Sequence, residues 1–346
     1  MTKILMGIHT PFQVNFFEQL IDRADGLFEY LFAARDRDST VPMLEEKGLD
    51  FVNLGGYPGS ELEGKLREYA DAILRLDGVI DEFDPDLVLT ERYPAAVRAA
   101  HMKGIPCWTV FNDEREYHVN HLTHPLASKV FVPSFYREEI LLEQGVDMSK
   151  VVSFNGFITC YLKGTPRQTA NPFLELPGID PGLPFVLVRP EFEFSVFFEG
   201  YEPVLEKIVP EIAHDLDVNL IVMPRTKSQA ARFREPGVIV AHRAFKQSPV
   251  AASDLVLGAA ESMLCEAFTL GVPAVSSIYW KLTEPMKLLH RYIPHSTDAV
   301  EVKDLATAFI EDPASVQKYR ETSEDVIGEM DDPVDILLDA IENEFG

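Results

Sequence analysis

Short apolar runs alternate along the chain with longer segments whose apolar positions return at helical spacing. Residues 3–8 read as a first strand. A helix from about residue 12, with Val14, Phe17, Leu20 and Ile21 on one face, follows the turn His9-Thr10-Pro11. Further strands are expected at 28–34, 51–54, 86–90, 106–111, 130–133 and 151–156. Helices are expected at 40–47 and 61–83, up to Lys103, and at 134–143. Breakers then crowd the stretch 161–184 at a density no element could hold, among them Gly164, Pro166, Pro172, Pro177-Gly178 and Pro181-Gly182-Leu183-Pro184. The pattern restarts with strands at 185–188, 219–223, 238–241 and 254–257 and a helix at 203–214. A helix over 262–270, closed by Gly271, leads into a strand at 272–276. The tail from 298 reads as helices, broken at Asp331-Asp332-Pro333.

Strands alternating with helices imply right-handed crossovers and parallel sheets covered on both faces. The expectation is an α/β chain of two doubly wound, Rossmann-like domains, since one core rarely grows past about 250–300 residues. The division expected is 1–163, a linker over 164–184, 185–330, and a terminal helix over 331–346.

Ligands in such sheets lie past the C-terminal strand ends. In the first half those positions hold His9 and Thr10, Arg35 and Asp36, Glu91 and Arg92, and Asn112, Asp113 and Glu114. A turn imidazole suits a general base or a contact to substrate hydroxyls, so His9 is a candidate catalytic group, with Glu91 and Glu114 as candidate acids beside it. The plainer alternative is a histidine that caps turn backbone. Arg92 either receives an anion or pairs with Glu91 or Glu114. His118, His121 and His124 follow at i, i+3 spacing, but Pro125 ends their helix and no acid or cysteine stands at zinc spacing. No metal is expected.

In the second half Arg189, Arg225, Lys227 and Arg243 all fall at strand ends, on the side where the 262–270 helix opens. Ser262, Glu266 and Thr269 share the polar face of that helix, opposite Leu264, Ala267 and Phe268. A positive helix end takes phosphate, and a carboxylate one turn in can bind ribose hydroxyls. The same spacing also fits an ordinary strand–turn–helix unit with a solvated Glu, and each base could pair with a nearby acid.

Composition narrows the partners. The chain of 346 residues carries 56 acids against 31 bases, a net charge of −25 spread throughout rather than gathered in a tail. Such a surface suits a high-salt cytoplasm and disfavours duplex DNA and anionic membranes. The three cysteines, Cys107, Cys160 and Cys265, are far apart and form no CxxC pair, which points to a reducing, intracellular setting. No signal-type apolar core opens the chain and no run approaches 18 apolar residues. A soluble cytoplasmic protein is expected, with peripheral membrane contact left open.

Ser262, Glu266 and Leu270-Gly271-Val272-Pro273-Ala274 resemble the nucleotide-sugar motif in the C-terminal domain of GT-B type glycosyltransferases. Ala260 and Glu261 stand where that motif has two glycines. A side chain there narrows the space for a diphosphate, and the Glu261 carboxylate would repel one. The stretches 7–17, 31–36, 120–126 and 186–191 resemble an uncharacterised, largely archaeal family related to the hydrolysing UDP-N-acetylglucosamine 2-epimerases and the peptidoglycan N-acetylglucosaminyltransferase. The resemblance implies two domains facing a central cleft, with Glu266 on the ribose, Arg189 and Arg225 on the diphosphate, and His9 on the acceptor side. It also implies a terminal helix that crosses back onto the first domain. The activity it implies is metal-independent, inverting transfer from a nucleotide-diphosphate sugar, by expectation UDP-linked, with no cofactor beyond that substrate. Two other readings stay open: a sugar-nucleotide epimerase or hydrolase using Asp113, Glu114 and Glu191, and a non-catalytic relative that binds a ligand or protein partner.

Overall fold

The computed structural model describes residues 1–37, 39–56, 62–165, 171–191, 203–241, 245 and 248–346. The chain divides into two compact units, Met1–Tyr161 with Asp331–Gly346, and Leu162–Met330.

Unit 1 begins β1 (Thr2–Ile8), α1 (Pro11–Ala24), β2 (Phe28–Asp36), α2 (Thr40–Lys47) and β3 (Phe51–Gly56). It continues α3 (Leu62–Phe83), β4 (Leu87–Thr90), α4 (Pro94–Lys103), β5 (Cys107–Val110) and α5 (Tyr117–Thr123). After these come β6 (Lys129–Pro133), α6 (Glu138–Glu143) and β7 (Val151–Phe154). The strands form one parallel sheet in the order β3-β2-β1-β4-β5-β6-β7. Central strands are buried along their length, as both faces are covered by helices. Burying a side chain such as Leu5, Phe17 or Phe32 contributes roughly 1.5–3 kcal/mol each. α4 crosses β1 so closely that a Cβ on Gly7 would stand 2.6 Å from the Cβ of Ala96, which reserves that position for glycine.

Unit 2 contains β8 (Phe185–Arg189), α7 (Val204–Asp215), β9 (Asn219–Val222), α8 (Lys227–Ala230) and β10 (Val238–Val240). It goes on through β11 (Leu255–Gly258), α9 (Glu261–Thr269), β12 (Ala274–Ser276), α10 (Glu284–Leu289), α11 (Ala299–Glu311) and α12 (Pro313–Gly328). Its parallel sheet runs β10-β9-β8-β11-β12. Asp298 and Asp312 accept backbone N–H groups at the starts of α11 and α12, each a short acid at N-cap.

The final helix, α13 (Pro333–Phe345), belongs to unit 1. Asp332 caps it through Val334 N, and Arg23 on α1 holds Asp332 at 2.6 Å and Asp335 at 3.0 Å. Phe345 lies 5.8 Å from the Trp108 ring, and Lys129 pairs with Glu344.

Two local readings differ from the structure. A 3-10 turn, Pro172–Glu175, forms among the breakers, because Asn171 accepts from Phe173 N and the Phe173 ring is buried beside Phe185 and Phe245. The helix expected from 134 begins only at Glu138. Phe135 and Tyr136 pack on Phe157 and Phe111 instead, with the Tyr136 hydroxyl donating to Asn112 O at 2.8 Å.

Candidate functional site

Each sheet reverses its direction of growth once, and the strand ends at that reversal are where open α/β sheets place ligands. In unit 1 the reversal lies between β1 and β4; in unit 2 it lies between β8 and β11.

In unit 1 the register sets Ile8 level with Ala34 and Gly7 level with Thr90. Extending it brings Arg35, His9 and the pair Glu91-Arg92 to neighbouring positions across three strands. Gln13, buried on α1, fixes this edge. Its side-chain carbonyl accepts from His9 N at 2.6 Å and Thr10 N at 3.0 Å, and its amide donates to Glu91 O and Glu91 Oε2, both at 2.6 Å. Glu91 is 1% exposed. Its Oε1 accepts from Asn112 Nδ2 at 2.8 Å and from Arg92 Nε and Nη2, both at 3.1 Å. Arg92 sits at φ +53°, a left-handed backbone that costs a side-chain-bearing residue about 1 kcal/mol or more and is held by this pair.

The His9 ring lies 5.3 Å from Tyr93, and its Nδ1 is buried with no hydrogen-bond partner among the described residues. Burial, followed by the positive charges of Arg92, Arg37 and Arg35, pushes its pKa well below the usual histidine value. The ring is therefore neutral at pH 7 and can accept a proton only weakly. Asp113 is gripped by Arg115 at 3.0 and 2.7 Å; burial opposes ionisation, but this pair outweighs it and lowers the carboxyl pKa. Glu114 lies near Tyr136, whose hydroxyl is pushed well up by burial and by the Glu114 and Asp113 charges. The three histidines after β5 go separate ways. His118 and His121 are exposed, whereas His124 is buried, with Nδ1 3.0 Å from Thr109 Oγ1. Among the described residues no group of His, Cys, Asp and Glu has the arrangement of a metal site.

In unit 2 Arg189 ends β8, level with Gly258 of β11, and Ala259 N donates to Arg189 O at 3.2 Å. Its guanidinium donates to Met223 O at 2.8 Å, so the cation lies along the edge toward β9. Arg225 follows β9, with its N donating to Gln229 Oε1 at 2.8 Å, and Lys227 opens α8 with its side chain exposed. Arg243 lies outside the described residues. Across the reversal α9 follows Ala260 at its N-cap, which gives its first turn no side-chain cap. Ser262 is exposed in that first turn. Glu266, a turn later, accepts from Ser248 Oγ at 2.5 Å, and burial raises its pKa to about 7 although that bond lowers it. Glu261 accepts from Trp280 Nε1 at 3.0 Å and Thr283 Oγ1 at 2.8 Å, which orients its carboxylate toward the segment after β12.

Glu191, also just past β8, is 1% exposed. Its Oε1 accepts from Val204 N at 3.1 Å, Leu205 N at 3.2 Å and Ser277 Oγ at 3.2 Å, so it caps α7 from a distance. Its Oε2 is buried with no partner among the described residues, and burial raises its pKa against the opposing pull of these donors. Gln229 donates to Glu191 O at 2.6 Å. The sequence reading did not find Gln13, Gln229 or Ser248. The first two had a signal: Thr10 and Thr226 each stand three before a Gln, the spacing of a capping box.

Two doubly wound α/β units of this kind make the protein one of GT-B type fold. The chain belongs to the family described as "Protein of unknown function (DUF354)", which matches residues 2–345. An uncharacterised protein of Methanocaldococcus jannaschii is 28% identical over 342 residues, covering 95% of each chain. Among solved structures, the chain is similar to UDP-GlcNAc 2-epimerase from Neisseria meningitidis bound to UDP-GlcNAc, at TM-score 0.69 and 16% identity, over 99% of this chain and 100% of that one. It is also similar to the glycotransferase of kitacinnamycin, at TM-score 0.63 and 14% identity, over 100% and 99% of the two chains. Among the described residues no helix is long and apolar enough to cross a membrane.

Proposed function

We propose that the chain binds a nucleotide-diphosphate sugar, UDP-linked, at the strand ends of unit 2 and transfers the sugar to an acceptor without a metal. The observation that carries this is Glu266: a carboxylate one turn into α9, held by Ser248 Oγ at 2.5 Å, on the helix that opens at the sheet reversal. Its two oxygens suit the paired hydroxyls of a ribose, and the uncapped first turn of α9 suits phosphate. Arg189, Arg225 and Lys227 would offset charge on the departing diphosphate, with Arg243 a further candidate. Glu261, engaged by Trp280 and Thr283, leaves that helix end to a ligand's oxygens. His9, neutral and with an Nδ1 unpartnered among the described residues, is the candidate to bind the acceptor hydroxyl. Its lowered pKa makes it a weak base, so any deprotonation by it would be late, as the hydroxyl becomes acidic in the transition state.

The test is calorimetric titration of UDP-N-acetylglucosamine into wild type and Glu266→Ala in high salt. Binding weakened at least about tenfold in the variant is expected from losing charge-assisted hydrogen bonds. Equal binding would remove Glu266 from the site, and no binding by wild type would sink the donor reading. Glu191 favours a second reading, an epimerase or hydrolase, because it is a buried carboxyl inclined to keep its proton. Release of UDP, or inversion at the sugar C2, with no acceptor present would establish that reading in place of transfer.

A further inference from the structure

The strand ends of unit 1 gather positive charge that donor binding in unit 2 does not use. Arg35, His9 and Arg92 stand side by side by register, and Arg37 lies in the turn after β2. In a chain of net charge −25, the charges acting most strongly on His9 are all positive. Three acids near this edge are already engaged: Glu68 pairs with Arg35 at 3.1 Å, Asp113 with Arg115, and Glu91 with Gln13, Asn112 and Arg92. Arg92 uses Nε and Nη2 in its contact with Glu91 Oε1, and Nη1 takes no part in that pair. The buried His9 Nδ1 has no hydrogen-bond partner among the described residues, and such an orphan calls for a ligand atom.

We propose that the edge formed by His9, Arg35, Arg37 and Arg92 binds a phosphate monoester. A carboxylate is planar and one guanidinium fork serves it, whereas several guanidiniums around an imidazole match the spread oxygens of a tetrahedral dianion. That this phosphate belongs to the sugar acceptor rests on the transferase reading. The acceptor class is then a phosphorylated alcohol, either a soluble ester or a lipid phosphate, with the phosphate binding beside His9.

The experiment follows the His9 imidazole resonances of the full chain, identified by their loss in His9→Asn, during addition of glycerol phosphate or of dihexanoyl phosphatidic acid. A saturable shift with a rise in the His9 pKa is expected. Response to glycerol phosphate identifies a soluble ester as sufficient, and response to the phosphatidic acid alone identifies a lipid phosphate. Arg37→Gln should weaken the response roughly tenfold, and Arg37→Lys should restore much of it. The turn at Arg37 is held by its backbone carbonyl, which accepts from Thr40 N at 3.1 Å and Thr40 Oγ1 at 2.6 Å, so neither change removes those bonds. Absence of a shift with both probes, or an undiminished response in Arg37→Gln, overturns the site. Titration of UDP-N-acetylglucosamine is read separately and should be unchanged in Arg37→Gln. If wild type fails to bind it while the His9 shift persists, the phosphate site stands and its assignment to an acceptor falls.

Discussion

The two units solve one problem with the same parts and reach different electrostatics. In each, a glutamine three residues after a threonine reaches back from a helix to a strand-end loop and donates to a buried glutamate's backbone carbonyl. In unit 1 that glutamate, Glu91, also takes a guanidinium and two side-chain amides on its carboxylate. In unit 2 Glu191 takes two helix N–H groups and a hydroxyl, with no cation in hydrogen-bonding contact among the described residues. A buried carboxyl with a cation is an anchor. One without is inclined to keep its proton.

The largest test of that contrast is Glu91→Gln, which leaves Arg92 on a strained backbone without its counter-charge. A loss of about 3 kcal/mol in urea unfolding is expected. A loss below about 1 kcal/mol would remove Glu91 from its role as anchor. A smaller effect concerns ligand binding. With the Glu266 pKa near 7, UDP-N-acetylglucosamine, whose diphosphate does not itself titrate there, should bind about tenfold tighter at pH 8 than at pH 6. On the proposed function the ionised carboxylate would accept both ribose hydroxyls, so affinity should rise with pH and Glu266→Gln should flatten the profile. A slope that survives in the variant would assign it to another group. The smallest effect is Glu191→Gln, within about 1 kcal/mol of wild type in acid, where Glu191 is already neutral. Its folded pKa is raised, so its favourable contribution is complete below the ordinary carboxyl range and is lost as pH rises through the folded value. The variant should gain on wild type with rising pH, and parallel stability curves would break the contrast with Glu91.

Much of the scaffold was readable, because alternation of strand and helix is a local signal. Helix 40–47 coincides with α2, and the restart at 185 coincides with β8. The strand-end candidates were likewise a matter of counting to the last apolar residue. What they touch was not. Ser248 lies 18 positions from Glu266, and Trp280 reaches back to Glu261 from beyond β12, contacts that no periodicity encodes. Thr10-Pro11-Phe12-Gln13 and Thr226-Lys227-Ser228-Gln229 announce helix starts, but the spacing does not say that each amide will reach a neighbouring strand's glutamate. The turn at 134–137 shows tertiary packing overriding a helical pattern, since Tyr136 is drawn to Phe111 and Asn112.

The placement of α13 has a consequence for synthesis. Arg23, Trp108 and Lys129 each gain a partner from residues 332–345, after all of unit 2 has been translated. Domains generally fold as units while the chain emerges, so the first half made is the last to be completed. Until its closing helix arrives, part of the α1 and Trp108 surface waits uncovered on the ribosome, while the later-made unit already holds every segment it needs.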